Sequence, residues 1–121
     1  MIPKFRAWFS SEMYDKPVVY DGEFYLDWRD FEDGETYDGA VLMQSTGLFD
    51  KNAKEIFEGD VVKLRYTISS DYEFFKVTRF RGGSWRIDNR RRGCELWLRN
   101  EECEIIGNIY ENPELVEATN D

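Results

Sequence analysis

Three carboxylates near the middle of the chain are candidates for metal binding and for acid–base catalysis. Glu55, Glu58 and Asp60 lie close together, and oxygen ligands of this kind hold divalent cations. A calcium loop of the EF-hand type needs a glutamate at its twelfth position, but counting from Asp50 that residue is Val61. Carboxylate pairs also serve acid–base catalysis, yet acidic side chains are common on surfaces. We therefore predict neither a metal site nor a catalytic site here.

Polar side chains in and around the same region are the candidates for contact with a ligand or a partner. They are Gln44, Thr46, Asp50 and Asp60. Side chains of these types can hydrogen-bond a ligand or a neighbouring loop. Serine, threonine and aspartate are also good turn formers, because their oxygens bond nearby backbone groups. A structural role is therefore the favoured interpretation, and a binding role is the alternative.

The absence of histidine excludes several mechanisms. With no histidine and only Cys94 and Cys103, one chain holds neither a Ser-His nor a Cys-His nucleophile pair. A structural zinc site needs about four such ligands, so it is excluded within one chain as well. The two thiols, nine residues apart, are expected to be reduced and buried rather than a redox pair. We predict no catalytic residue, no metal, no cofactor and no enzyme.

A basic and aromatic segment follows in the second half of the chain. Its candidates for contact with nucleic acid or another subunit are Arg79, Arg81, Trp85, Arg86, Arg90, Arg91 and Arg92. Arginines interleaved with aromatic rings suit phosphate contacts and base stacking. The whole chain is acidic, with an isoelectric point near 4.6, which opposes the approach of a polyanion. A solvated or subunit-pairing basic face is therefore favoured over nucleic-acid binding.

An acidic segment, residues 21–38, lies in the first half. It holds eight acids against one base, Arg29. Rigidly placed carboxylates can imitate DNA, which carries a charge per roughly 1.7 Å of axis. One hypothesis is therefore an inhibitor that presents a nucleic-acid-like surface to a host protein. The simpler interpretation is a solvated loop.

The charges divide the chain into three parts. Residues 1–60 have 14 acids and 6 bases (net −8), residues 61–100 have 4 acids and 10 bases (net +6), and residues 101–121 have 7 acids and no base (net −7). Opposed potentials of this kind can steer a partner or pair subunits head to tail. The alternative is that acidic and basic strands neutralise each other within the fold.

Hydrophobic periodicity predicts the elements that must position these residues. The fold class is mainly β: a small bent sheet or barrel-like domain of about eight short strands, with a short C-terminal helical turn. Strands are predicted at 4–8, in a hairpin over 18–27, and at 40–44, 55–58, 61–66, 72–80, 85–88, 94–98 and 103–110. The helical turn begins at Asn112-Pro113. With 121 residues, one domain over 1–121 is expected.

The location follows from what the sequence lacks. No apolar run approaches the length of about 20 residues that a membrane span requires. Residues 1–6 show no apolar core followed by a small-residue cleavage site. We expect a protein of the cytoplasm with no membrane partner.

Three motifs, which cover about a third of the chain, carry a family resemblance. They are Lys4-Phe5-Arg6-Ala7-Trp8, the stretch from Met43 to Val62 that contains Thr46-Gly47-Leu48-Phe49-Asp50-Lys51-Asn52, and the stretch from Glu104 to Leu115 that contains Gly107-Asn108-Ile109-Tyr110-Glu111-Asn112. In this order they resemble the YopX family of phage and prophage proteins. The resemblance implies a mostly β fold, a phage or prophage origin and a bacterial host. It implies no activity.

Two positions depart from the family pattern. Ala53 stands where the family usually has glycine, and Phe57 where it usually has tyrosine. A positive φ at Ala53 would strain the turn by about 1 kcal/mol, so we expect Asn52 to take the left-handed conformation instead.

The leading hypothesis is a non-enzymatic interaction module, able to self-associate, that binds a host protein or a second copy of itself. Nucleic-acid binding through the segment from Arg79 to Arg99 is the alternative from another class, and host inhibition by the acidic segment is the third.

Overall fold

The computed structural model describes residues 4–9, 11–14, 18–20, 23–25, 41–80 and 83–115. Its strands, in chain order, are β1 (Phe5–Phe9), β2 (Glu12–Tyr14), β3 (Val18–Tyr20), β4 (Glu23–Tyr25), β5 (Val41–Phe49), β6 (Glu55–Phe57), β7 (Asp60–Arg65), β8 (Tyr72–Arg79), β9 (Trp85–Asp88), β10 (Gly93–Glu95) and β11 (Glu104–Asn108). A short helix, α1 (Leu96–Arg99), and a 3-10 turn (Asn100–Glu102) lie between β10 and β11. The mainly β prediction is confirmed, with nine strands in two sheets and two in a hairpin.

The chain divides into two compact units, residues 1–45 and 46–121. In the first unit, β1 pairs antiparallel with β2 and with the beginning of β5, where Ala7 lies opposite both Tyr14 and Leu42. The predicted hairpin is also present, because β3 pairs with β4 across a two-residue connection. The single domain expected over 1–121 stays a prediction.

The second unit contains a five-stranded antiparallel sheet in the order β10-β9-β8-β7-β11. Its central strand, β8, alternates half-buried and buried side chains with the period of two that a strand requires. The register Val62–Phe75 and Val77–Ile87 puts these four apolar side chains on one face. Burial of each contributes roughly 1.5–3 kcal/mol.

The core of this unit forms on that face of the sheet. It contains Ile56, Val62, Leu64, Phe75, Val77, Ile87, Leu96 and Cys103, all of them almost fully buried. Leu96 comes from α1, so the helix is anchored to the core at its first residue. The sheet and α1 therefore hold the second unit's surface residues in fixed positions.

The region after β9 differs most from the prediction. A strand was expected over 94–98, but β10 ends at Glu95 and the chain turns helical at Leu96. Leu96, Trp97 and Leu98 are consecutive, and adjacent residues of a strand point to opposite faces. The helical turn buries Leu96 and leaves Trp97 and Leu98 exposed. In addition, β5 runs to Phe49 rather than ending at residue 44.

Two further features concern the helices. At the C-terminal end of the described residues, Glu114 and Leu115 are helical, in keeping with the predicted turn. Of the helices in the ranges given above, none has the length and apolar character needed to span a bilayer.

Candidate functional site

The side chains of the second motif make hydrogen bonds within the protein. Thr46 Oγ1 donates to the carbonyl of Ile56 (2.8 Å) and accepts from the backbone N–H of Leu48 (3.1 Å). Asp60, almost fully buried, accepts a hydrogen bond from the backbone N–H of Phe57 through Oδ2 (2.8 Å). Gln44 lies in the first unit, where β5 pairs with β1. Thr46 and Asp60 therefore stabilise local backbone, and ligand contact by these residues stays a prediction.

Asp50 is a buried carboxylate at the centre of its turn. Oδ1 accepts hydrogen bonds from the backbone N–H groups of Asn52 and Lys54, both at 2.9 Å. Oδ2 accepts one from the backbone N–H of Ile105 in β11, also at 2.9 Å. Asp50 thus organises residues 50–54 and connects them to the edge of the five-stranded sheet.

The third motif is shaped by close packing. A Cβ at Gly107 would collide with Oδ1 of Asn112 and lie 2.8 Å from Cδ1 of Leu115. Asn108 is buried, and its Oδ1 accepts hydrogen bonds from the backbone N–H groups of Tyr110 (3.0 Å) and Glu111 (2.8 Å). This motif therefore folds the segment from β11 into the C-terminal turn.

The residues of the basic segment lie on different faces of the sheet. Arg79 and Trp85 form a cross-strand pair on the core face, with Arg79 Cζ 5.7 Å from the Trp85 ring centroid. Arg86 is on the opposite face, where it pairs with Asp88 (3.2 Å) and Glu95 (3.5 Å). The hydrogen bond to Asp88 is the main reason that the pKa of Arg86 is raised. The segment is therefore not one continuous basic face.

Two more arginines pack on a single aromatic ring. Arg92 Cζ and Arg99 Cζ lie 4.7 and 5.3 Å from the centroid of Tyr66. Arg92 pairs with Glu73 (3.4 Å), and Arg99 Nε donates to Glu102. These charges are neutralised within the second unit, so they contribute little to a long-range positive potential.

The turn between β9 and β10 presents the remaining arginines. Arg90 and Arg91 are exposed there. Asn89 holds the turn, because its Oδ1 accepts hydrogen bonds from the backbone N–H groups of Arg91 and Arg92, both at 2.9 Å. Arg81 lies outside the described residues, as does nearly all of the acidic segment 21–38.

The carboxylates and thiols of the described ranges were also candidates for metal binding and nucleophilic chemistry. No group of three or more Cys, Asp or Glu side chains converges there to hold a metal ion. Both cysteines are free thiols. Burial raises the pKa of Cys94, and it raises the pKa of Cys103 to about 12, which disfavours the nucleophilic thiolate.

The family model of the YopX protein matches residues 13–117. The chain belongs to the YopX family. A solved structure of protein EF1440 from Enterococcus faecalis is similar, with 28% identity, a TM-score of 0.62, and coverage of 96% of this chain and 99% of that one. Protein yopX from Bacillus subtilis has the same fold, with 20% identity, a TM-score of 0.59, and coverage of 93% and 94%. No curated protein matches.

The backbone conformation of Ala53 can be compared with that of glycine, which the YopX family usually has at this position. The φ of Ala53 is +63°, so Ala53 takes the left-handed conformation that glycine adopts without strain. Asn52 does not take it, and the prediction that placed Asn52 there is wrong. The N–H of Ala53 donates to the carbonyl of Asp50 (3.0 Å), which fixes the turn in this form.

Sequence reasoning missed a pair of adjacent exposed apolar side chains. Trp97 is 64% exposed and Leu98 is 54% exposed, side by side on α1. The predicted strand over 94–98 did not indicate that both side chains are exposed. Residues 96–98 are all apolar, however, and in a strand at least one of three consecutive side chains must face away from the core. These two side chains are the strongest candidates for a contact surface in this YopX family member.

Proposed function

We propose that this chain is a non-enzymatic protein-interaction module that self-associates, with Trp97 and Leu98 at the centre of its contact surface. The family resemblance supports an accessory role in a phage or prophage, and action in the cytoplasm of the bacterial host. The partner is a second copy of the chain, and host proteins are further partners of the same surface.

One observation carries the proposal. Trp97 and Leu98 are exposed on α1, and the helix cannot rotate to bury them without exposing Leu96. Leu96, the first residue of α1, is fully buried in the core, and the next two residues are exposed. Rotation of the helix that would bury Trp97 would pull Leu96 into water, at a cost of roughly 1.5–3 kcal/mol. A tryptophan side chain presents roughly 150–250 Å² of surface. Tryptophan is also enriched among the residues that dominate binding energy at interfaces.

A third exposed apolar side chain is tied to the end of the same segment. Asn100, directly after α1, donates a hydrogen bond through Nδ2 to the carbonyl of Phe49 (2.7 Å). Phe49 is 49% exposed at the end of β5. It lies on a shallow groove of about 520 Å³ that Lys51 and Asn100 also line. Trp97, Leu98 and Phe49 are called the α1 surface below.

The charge layout supports self-association over binding to a uniform polyanion. A net charge of +6 in residues 61–100 stands between net charges of −8 and −7. Arg86, Arg92 and Arg99 are paired within the second unit. The exposed Arg90 and Arg91 of one copy can still face acidic side chains of another, which speeds encounter and selects orientation. Salt screens these electrostatic contributions but not the contribution of apolar burial. A high salt concentration should therefore weaken self-association without abolishing it.

Nucleic-acid binding is the second candidate, supported by the exposed Arg90 and Arg91 in the β9–β10 turn. The internal pairing of Arg86, Arg92 and Arg99 counts against it. In a mobility-shift titration at low salt, we expect no complex with single- or double-stranded DNA or RNA. A complex that salt dissociates would favour this candidate.

Light scattering coupled to gel filtration tests the self-association. The measurement is made over a wide range of protein concentrations at low and at high salt. We expect a mass that rises with concentration and a shift toward monomer at high salt. A monomer at every concentration and salt would contradict the proposal.

A further inference from the structure

We propose that a groove beside the β7–β8 turn binds an acidic peptide of a partner protein, with one carboxylate on Arg65 and a neighbouring apolar side chain beneath it. This inference rests on the proposed function only in treating the chain as a protein-binding module, since it concerns a surface defined separately from the α1 surface. The residues that define the Arg65 groove are Arg65, Tyr66, Ile68, Tyr72, Arg99 and Glu102. Its volume is about 370 Å³, within the range of ligand pockets.

Arg65 provides a cation that is already oriented for recognition. Its Cζ lies 4.7 Å from the ring centroid of Tyr72, so the guanidinium packs on the ring. Its side chain is exposed, and among the described residues no carboxylate forms an ion pair with it. A stacked guanidinium keeps its N–H donors for a carboxylate, which it can bind through two parallel hydrogen bonds.

Arg99 holds the backbone of Arg65 in place. Its Nη2 donates to the carbonyl of Arg65 at 2.9 Å, and its Nε donates to Glu102. The charge of Arg99 is thereby neutralised by Glu102. Lys63, which does not line the groove, lies over the Tyr72 ring (5.0 Å from the centroid) and shares Glu104 (3.9 Å) with Lys51 (3.4 Å). The groove therefore offers one unpaired positive charge, which matches a single carboxylate.

Apolar and aromatic side chains form one part of the groove. Leu64 is fully buried beneath it, and the ring of Tyr66 is stacked on Phe75 with centroids 6.3 Å apart. Ile68 is 95% exposed at the rim. Two hydrogen bonds between Thr67 and Ser70 hold the turn that contains Ile68. The backbone N–H of Thr67 donates to Ser70 Oγ (2.9 Å), and Ser70 Oγ donates to the carbonyl of Thr67 (3.0 Å). An apolar side chain next to the bound carboxylate would bury Ile68 and the Tyr72 ring.

A peptide fits this surface better than a nucleic acid does. Binding to a phosphate backbone requires several cations along the strand. Here one cation is unpaired, and Glu102, whose side chain is 59% exposed, stands at the rim and would repel successive phosphates.

The test is a fluorescence-anisotropy titration of the full chain with three labelled probes. The first is a short peptide with one phenylalanine flanked by glutamates, the second has lysines in place of the glutamates, and the third is oligothymidylate. We expect binding of the acidic peptide only. Arg65→Gln should weaken that binding at least about tenfold, because it removes the charge-assisted hydrogen bonds to the carboxylate. Ile68→Ser should weaken it as well, and Lys54→Gln, which removes an exposed charge outside the groove, should not.

Several outcomes would overturn the assignment. They are failure of the acidic peptide to bind, equal binding of the lysine peptide, tighter binding of the oligonucleotide, or the same affinity for Arg65→Gln and Lys54→Gln. Circular dichroism of each variant confirms that it is folded; Arg65 and Ile68 are exposed, so neither change should unfold the chain. If peptide binding fails while light scattering still shows self-association, the groove assignment falls and the proposed function stands.

Discussion

Asp50 joins two segments that lie 55 residues apart: its Oδ2 accepts a hydrogen bond from the backbone N–H of Ile105 at 2.9 Å. One carboxylate thereby connects the second family motif to the third. With Oδ1 accepting from Asn52 and Lys54, three backbone donors depend on this buried side chain. These contacts explain how the motif residues shape the fold.

Asp50→Ala should lower the free energy of unfolding by about 2–4 kcal/mol, because it leaves three partly buried N–H groups without their acceptor. Urea denaturation followed by tryptophan fluorescence measures the change. The matched control is Asp71→Ala, which removes an exposed carboxylate and should alter stability by less than about 0.5 kcal/mol. Equal free energies of unfolding for the two variants would show that the hydrogen bonds of Asp50 do not stabilise the fold.

Ala53→Gly should raise the free energy of unfolding by about 0.5–1 kcal/mol, because glycine adopts a φ of +63° without the strain that alanine carries. The neighbouring change Asn52→Gly is the control, since Asn52 does not have a positive φ, and it should give no gain. A larger gain from Asn52→Gly than from Ala53→Gly would place the left-handed residue at 52 after all.

Gly107→Ala should destabilise the protein by about 1–3 kcal/mol, since its Cβ would collide with Asn112 and force a shift in a packed region. Gly47 separates this steric effect from backbone strain, because it has a φ of +77° and open space around the Cβ position. Gly47→Ala should therefore cost only the strain of about 1–2 kcal/mol. Addition of Asn112→Ala should recover part of the loss in Gly107→Ala and none of the loss in Gly47→Ala.

Much of this fold follows from local patterns in the sequence. Strand β9 has the predicted bounds, Trp85 to Asp88, and the β3–β4 hairpin follows from Asp21-Gly22. The features that were not predicted correctly from the sequence depend on tertiary contacts. The chain is helical at Leu96 because the helical turn buries this side chain in the core. Ala53 has a strained left-handed conformation because its hydrogen bond to Asp50 fixes the turn. Pairing of Arg86, Arg92 and Arg99 with carboxylates depends on strand register and packing, which composition does not reveal.

The stability of the protein should depend on the ionisation of Cys103 at alkaline pH. Burial raises its pKa from 9.0 to about 12, so between these values the unfolded chain loses a proton that the folded chain keeps. The contribution is fully present below pH 9.0 and is lost as the pH rises toward 12, with a slope of up to about 1.4 kcal/mol per pH unit. Cys103→Ala removes this slope.

Urea denaturation at a series of alkaline pH values checks that expectation. The stability difference between the unmodified chain and Cys103→Ala should shrink as the pH rises above 9.0. Cys94→Ala, at a half-buried thiol, is the comparison and should show a smaller change. A difference that stays constant with pH would mean that the Cys103 thiol ionises equally in both states.

Sedimentation velocity of α1-surface variants tests the central claim most directly. The double variant Trp97→Ser and Leu98→Ser should weaken self-association at least about tenfold, a loss of 1.4 kcal/mol or more. Phe80→Ser removes another exposed aromatic ring, directly after β8 and outside the α1 surface as defined, and should leave association unchanged. Since all three side chains are exposed, the variants should keep the unfolding free energy of the unmodified chain within about 0.5 kcal/mol. We expect concentration-dependent oligomers that only the double variant loses. Oligomers of undiminished affinity in the double variant would contradict self-association through the α1 surface.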